Sequence, residues 1–275
     1  AQARDWDEQW CSIAWGYWQA GKRVDAEQAL RKLGADVVPP RALFLRAEMA
    51  LERDLRDEAK TLYEQAFAAG GEDYRARMSL GTFAVQAEDW ETAERHFLAA
   101  EQAFPRYPEA QFSAERQLAQ VYEKLEREDE RFAVLERWLE MNSDDFATHV
   151  LVARRHAEKG RHEQAVRLFD EANQIDPFRR KLHLDWGASL AALARHEEAL
   201  REFKVAQIVP PSLDPDAPDA PGDAERAKLF GLQARELLEL ERKDEAGETA
   251  KRALGLDPEQ AEAKAVLDRL GIAHS

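Results

Sequence analysis

One pattern limits this chain more than any other: a small residue followed four positions later by a large apolar one, returning at a nearly fixed interval. It stands at Ala26/Leu30, Ala59/Tyr63, Ala93/Phe97, Ala165/Phe169 and Ala199/Phe203, with successive spacings of 33, 34, 72 and 34. The gap of 72 has room for one further copy with a short insertion, and Leu118-Ala119, Tyr122 and Leu135 supply it. A last copy lies at Ala246, Ala253 and Pro258. A period in this range is the mark of stacked-repeat architectures, in which each unit buries its apolar face only against its neighbours.

Within each copy the apolar residues follow a 3.6-residue period, which predicts two amphipathic helices per unit. The 11 prolines, at 39, 40, 105, 108, 177, 210, 211, 215, 218, 221 and 258, all fall between predicted helices. Inside a helix each would cost ~3 kcal/mol. The two boundaries that lack proline carry Gly70-Gly71 and Asn142-Ser143-Asp144, which also break helices. The chain is therefore expected to be all-α, with about 15 antiparallel helices.

The pattern resembles the tetratricopeptide repeat, W-x2-L-G-x2-Y followed by a small residue, then A-x3-F and a closing Pro. One copy carries Trp10, Ile13, Ala14, Tyr17, Gly21, Ala26 and Leu30; another carries Leu80, Gly81, Ala93, Phe97, Ala100 and Pro105. Ala153, Gly160, Ala165, Phe169, Ala172 and Pro177 repeat it, as do Trp186, Gly187, Ala199, Phe203, Ala206 and Pro211. The resemblance implies a single array, an α-α superhelix or solenoid over 1–275. Repeats are expected at about 7–40, 40–73, 74–107, 112–145, 146–179, 180–213 and 227–260, with a capping helix at 259–270. Residues 107–111 and the Pro/Asp-rich stretch 214–226 interrupt the period, and the second reads as an extended, solvated segment. Arg131 stands where a small residue is expected, so that copy must pack differently or slip by one residue. Gln233 and Ala250 replace large apolar residues, so 227–260 is expected to be the least stable repeat.

Composition narrows the functions open to such a scaffold. Of 275 residues, 54 are acidic and 39 basic, a net charge of −15, which argues against binding a phosphate backbone. No apolar stretch is long enough to span a membrane. The single cysteine, Cys11, excludes an internal disulfide framework. His162-Glu163 and His196-Glu197 resemble the start of H-E-x-x-H, but Val166 and Leu200 occupy the second histidine's place. His149/His183 and His162/His196 are each 34 apart, so they recur with the repeat and read as structural. No phosphate-binding glycine loop or nucleophile elbow is present. No catalytic, cofactor or metal residue is assigned, and the chain is read as non-enzymatic.

The resemblance also implies that the first helix of each repeat lines a concave groove. The candidate binding residues are Trp15, Trp18, Phe44, Leu45, Glu48, Leu51, Met78, Thr82, Arg116, Gln120 and Arg154, and Cys11 is expected to point the same way. Trp10 and Tyr17 are assigned to the core. The expected function is a protein-interaction scaffold holding a peptide or partner segment. The alternative is an accessory module of a larger bacterial secreted or periplasmic enzyme such as a peptidase, with an upstream domain of the same polypeptide as partner. The frequent Ala and Arg suggest a bacterial source, and the compartment is left open between cytoplasm and periplasm or exterior. A globule of this length would have a radius of gyration near 19 Å. Small-angle scattering should give a clearly larger value, and ~19 Å or less would refute a stacked array.

Overall fold

The computed structural model describes residues 2–33, 38–105, 113–216 and 220–274. Among them 15 α-helices run in chain order. They are α1 (Gln2–Gln19), α2 (Arg23–Leu30), α3 (Pro40–Glu52), α4 (Arg56–Ala68), α5 (Tyr74–Gln86), α6 (Trp90–Ala103), α7 (Ala114–Lys124) and α8 (Glu128–Leu139). The rest are α9 (Phe146–Glu158), α10 (His162–Ile175), α11 (Arg180–Ala192), α12 (His196–Ile208), α13 (Asp223–Glu239), α14 (Lys243–Leu256) and α15 (Ala261–Leu270). No strand occurs among the described residues. The chain divides into two compact units, residues 1–134 and 135–275, with the boundary inside α8.

Each unit is built from helix pairs, and the residue that joins a pair sits in the left-handed region. These residues are Gly21, Asp54, Glu88, Glu126, Gly160, Ala194 and Glu241, with φ between 56° and 75°. The next residue's N–H reaches back to a carbonyl five positions earlier, as in Lys22 to Tyr17, Asp89 to Ala84 and Arg195 to Leu190. This bond satisfies an orphan carbonyl at the end of the first helix and turns the chain sharply. The intervals between these turns are 33, 34, 38, 34, 34 and 47 residues.

Close approach of the paired helices depends on small residues. In the first unit Ala47 on α3 and Ala59 on α4 are fully buried with Tyr63. A Cβ added to Gly81 on α5 would lie 2.4 Å from the Phe97 ring on α6. In the second unit a Cβ on Gly187 of α11 would lie 2.6 Å from Phe203 of α12. Phe169 packs in the same way among Ala153, Ala165 and Ala172. α15 closes the last cluster with Ala263, Val266 and Leu267, leaving Glu259, Asp268 and Arg269 exposed.

Several expectations need correction or refinement. Cys11 is fully buried in the cluster of Ala14, Ala26, Leu30 and Leu45, so it does not face a groove; burial pushes its thiol up to about 11. Tyr17, assigned to the core, is exposed, with Lys22 Nζ 5.8 Å from its ring centre. Arg131 stays half-buried and pairs with Glu123 and Glu128, at 3.2 and 3.4 Å, while Phe132, Val134 and Leu135 turn inward. Ala250 is fully buried, and buried Gln233 donates from Nε2 to the Phe203 carbonyl at 3.2 Å and to Gln207 Oε1 at 3.0 Å. The polar intruder at 233 is thus satisfied, which removes most of the penalty of burying it.

The insertion at 107–111 lies outside the described residues, as do 217–219 of the second. Within that second insertion Asp214 is docked, while Pro215 and Asp216 are exposed. Asp214 is buried and accepts the first N–H of α11, from Arg180, at 2.9 Å, and Asp216 pairs with Arg179 at 2.9 Å. A carboxylate at a helix N-terminus satisfies an orphan donor and the helix dipole together.

Two opposite glycine changes test this architecture. Gly187→Ala should destabilise by about 1–3 kcal/mol, because the new methyl overlaps the Phe203 ring. Ala194→Gly, at φ 57°, should stabilise by about 1 kcal/mol. Urea denaturation of both variants measures the two shifts, and equal signs would be inconsistent with the geometry.

Candidate functional site

A concavity in the first unit has a volume of about 730 Å3. One face of α1 forms one wall, through Glu8, Ser12, Trp15, Gly16 and Gln19. The first turn of α3 gives Pro40, Arg41 and Phe44, the approach to α5 gives Gly71 through Arg75, and Phe104 closes the end. Trp15 is held in place by its indole N–H, which donates to the Arg41 carbonyl at 3.2 Å. The same ring packs on the apolar clusters of both the first and second helix pairs, so its position is set by the core beneath it. Tyr74 and Phe104 meet edge to face with centroids 6.1 Å apart.

The polar rim is uneven in its commitments. Asp73 caps α5 by accepting the Ala76 N–H at 2.9 Å, and Glu72 pairs with Arg77 at 3.2 Å. Arg41 donates to the Ser12 hydroxyl at 3.1 Å. Arg41 and Arg75 are exposed and make no ion pair among the described residues. The concavity therefore offers two guanidinium groups without an ion pair, and the exposed Glu8 carboxylate, beside Trp15, Phe44, Tyr74 and Phe104.

Of the residues expected to bind, only Trp15 and Phe44 line this concavity. Trp18 packs on the first cluster, with the Arg23 guanidinium 3.6 Å over its ring. Leu45 is fully buried and Met78 nearly so, which makes both core rather than groove. Leu51 packs half-buried on the second cluster. Glu48 is occupied by the core, accepting from Tyr63 Oη at 2.7 Å. Thr82 is exposed, its hydroxyl turned back to the Met78 carbonyl at 2.8 Å. Arg116 is half-buried and Gln120 exposed on α7, away from the concavity.

Arg154 belongs to the second unit. There it donates from Nε to Asp185 at 2.6 Å and lines a pocket of about 280 Å3 with Phe146, Val150, Arg179 and Lys181. The recurring histidines of this unit bridge helices. His183 on α11 lies 2.8 Å from the Glu202 carboxylate on α12, and His149 on α9 lies 3.3 Å from Glu171 on α10. No three His, Cys, Asp or Glu side chains among the described residues converge as a metal would require. No helix among them is long and apolar enough to cross a membrane.

Residues 227–260 match the family model described as tetratricopeptide repeat. That stretch spans the α13–α14 pair with its left-handed turn at Glu241. Residues 227–260 are a tetratricopeptide repeat. The match falls on the copy in which Gln233 and Ala250 depart most from the pattern. No curated protein matches the sequence. Among solved structures, YrrB, described as a TPR protein with an unusual peptide-binding site, is similar at 16% identity and a TM-score of 0.51. That likeness covers 75% of this chain and 97% of YrrB. A tetratricopeptide repeat protein from Parabacteroides merdae ATCC 43184 is 15% identical over 98% of both chains, with a TM-score of 0.43. MamA is 12% identical over 74% of this chain and 97% of its own, with a TM-score of 0.46.

The cations Arg41 and Arg75 were not among the residues expected to bind. Their signal was present: they lie 34 residues apart, at the same place in successive first helices. Tyr74 and Phe104 carried no such signal, since their meeting depends on how the chain leaves α6.

The Glu48–Tyr63 contact has a pH signature. Burial raises the Glu48 carboxyl above its ordinary value, against the smaller opposing effect of the Tyr63 hydroxyl. A carboxyl raised on folding contributes stability that is present below the unfolded value, near 4.3, and is lost as pH rises through the folded one. Glu48→Gln has no such dependence. Chemical denaturation at pH 3.5 and 7 should show the variant gaining on the parent as pH rises, and a pH-independent difference would remove Glu48 from the core.

Proposed function

We propose that this protein is a non-catalytic interaction scaffold, and that the concavity of the first unit binds a segment of a partner protein carrying an acidic and an apolar side chain. The observation that carries this reading is the pair Arg41 and Arg75, exposed and without carboxylate partners, beside a wall of Trp15, Phe44, Tyr74 and Phe104. A guanidinium presents a planar fork suited to a carboxylate, and aromatic rings with arginine dominate binding energy at protein interfaces. The helical-repeat fold shared with YrrB, a TPR protein with a peptide-binding site, supports a peptide ligand. With a net charge of −15 on the chain, the two guanidinium groups would capture an acidic side chain locally rather than by general attraction.

Panning a random peptide library on the immobilised chain should enrich sequences that combine Asp or Glu with a large apolar residue. Arg41→Ala with Arg75→Ala should weaken the enriched peptides at least tenfold, about 1.4 kcal/mol, and the melting temperature should hold because both residues are exposed. Trp15→Ala should weaken binding and also destabilise, since its ring serves core and wall together. Peptides that bind the double arginine variant as tightly as the parent would place the site elsewhere.

A further inference from the structure

Helix α1 carries a second apolar face that the groove does not use. Cys11, Ala14, Trp15 and Trp18 turn toward the core. At 100° per residue, Trp6, Trp10, Ile13 and Tyr17 form a separate stripe about 120° around the helix. That stripe is open: Trp6 is 60%, Ile13 42% and Tyr17 36% exposed, and Trp10 is only partly covered. Val24, at the start of α2, is 68% exposed.

Most of the corresponding positions of later helices are covered. The left-handed turns after α1, α3 and α5 fall at 21, 54 and 88, so residues 10, 13 and 17 correspond to Leu43, the half-buried Arg46 and Ala50 on α3. On α5, residues 10, 13 and 17 correspond to Arg77, Leu80 and Ala84. Leu43, Ala50, Leu80 and Ala84 are buried, and Arg77 lays its guanidinium 3.7 Å over Phe67 of the preceding α4. The outer face of α1 is thus a helix-stacking surface of the kind that the rest of the unit fills, here without its neighbour among the described residues.

We propose that a second copy of this chain covers this face, α1 packing antiparallel on α1 about a two-fold axis. The stripe has the spacing 4, 3, 4, which reads the same in both directions. An antiparallel copy therefore sets Trp6 against Tyr17 of the other chain and Trp10 against its Ile13. A two-fold interface requires such a self-complementary patch. The mean step of 3.5–4 residues is that of a helix–helix seam. Polarity agrees: Asp7 and Glu8 stand in the N-terminal half of α1 and Lys22 follows its C-terminus, so reversal of one copy brings each acidic end toward a basic one.

Sedimentation velocity of the 275-residue chain across a concentration series tests this surface directly. The parent should approach twice its 31.3 kDa mass. Ile13→Glu should weaken self-association at least tenfold, and Ile13→Lys likewise, each with an unchanged melting curve at low concentration. An equimolar mixture of the two should associate again, because the two-fold axis brings the opposite charges together. A parent that stays monomeric at the highest concentration leaves the face to a helix of another protein and overturns the proposal. So does a dimer that Ile13→Glu does not weaken. Peptides selected on the groove should still bind Ile13→Glu, which separates a failure here from a failure of the proposed function.

Discussion

The helix pairs depend on one contact: an aromatic or large apolar side chain of the second helix resting on a residue of the first that has almost no side chain. Where the ring is Phe97 or Phe203, the facing residue is Gly81 or Gly187, and not even a methyl group fits. Where the ring is Tyr63 or Phe169, buried alanines surround it. The contact sets how closely the paired helices lie, and interiors packed at crystal-like density leave little room for another arrangement. It also accounts for the returning left-handed turn. Two helices that close together can be joined only by a sharp reversal, and the chain makes it with glycine at 21 and 160 but with Asp, Glu or Ala at the other five positions.

Close pairing in turn decides where polar groups go. Many carboxylates in this acidic chain are spent inside the architecture. Asp73, Asp89 and Asp145 cap helices, and Asp214 satisfies the first donor of α11 from a remote segment. Others tie arginines and histidines across helices, as Glu94 does for Arg127 at 2.7 Å and Glu236 for His196 at 2.7 Å. Exposed members of this network contribute little each. Arg41 and Arg75, at the first concavity, lie outside these pairings.

Helix α1 shows how one element serves three surfaces. Its inner face is core, its flank carries Glu8, Ser12, Trp15 and Gln19 into the concavity, and its outer stripe faces solvent. The crowding of tryptophan near the N-terminus follows from this. Trp15 and Trp18 serve the inner faces, while Trp6 and Trp10 belong to the outer stripe. A single amphipathic helix would not need so many large rings.

The sequence by itself determined the helical class, the 34-residue period and the structural histidines. Those depend on spacing, and spacing is written in the chain. It also placed Trp15 and Phe44 at a concavity, because position within the first helix selects the side that faces outward from the pair. It misjudged Leu45, Met78 and Cys11, since a groove-facing slot and a core slot differ by one residue, about 100° of helix. Only the tertiary structure decided which of them are covered. It likewise decided that Asp214 docks on Arg180 from 34 residues away, that Phe104 meets Tyr74, and that Tyr17 is exposed. Each of these depends on what another segment places opposite the residue, and periodicity within a helix carries no record of that.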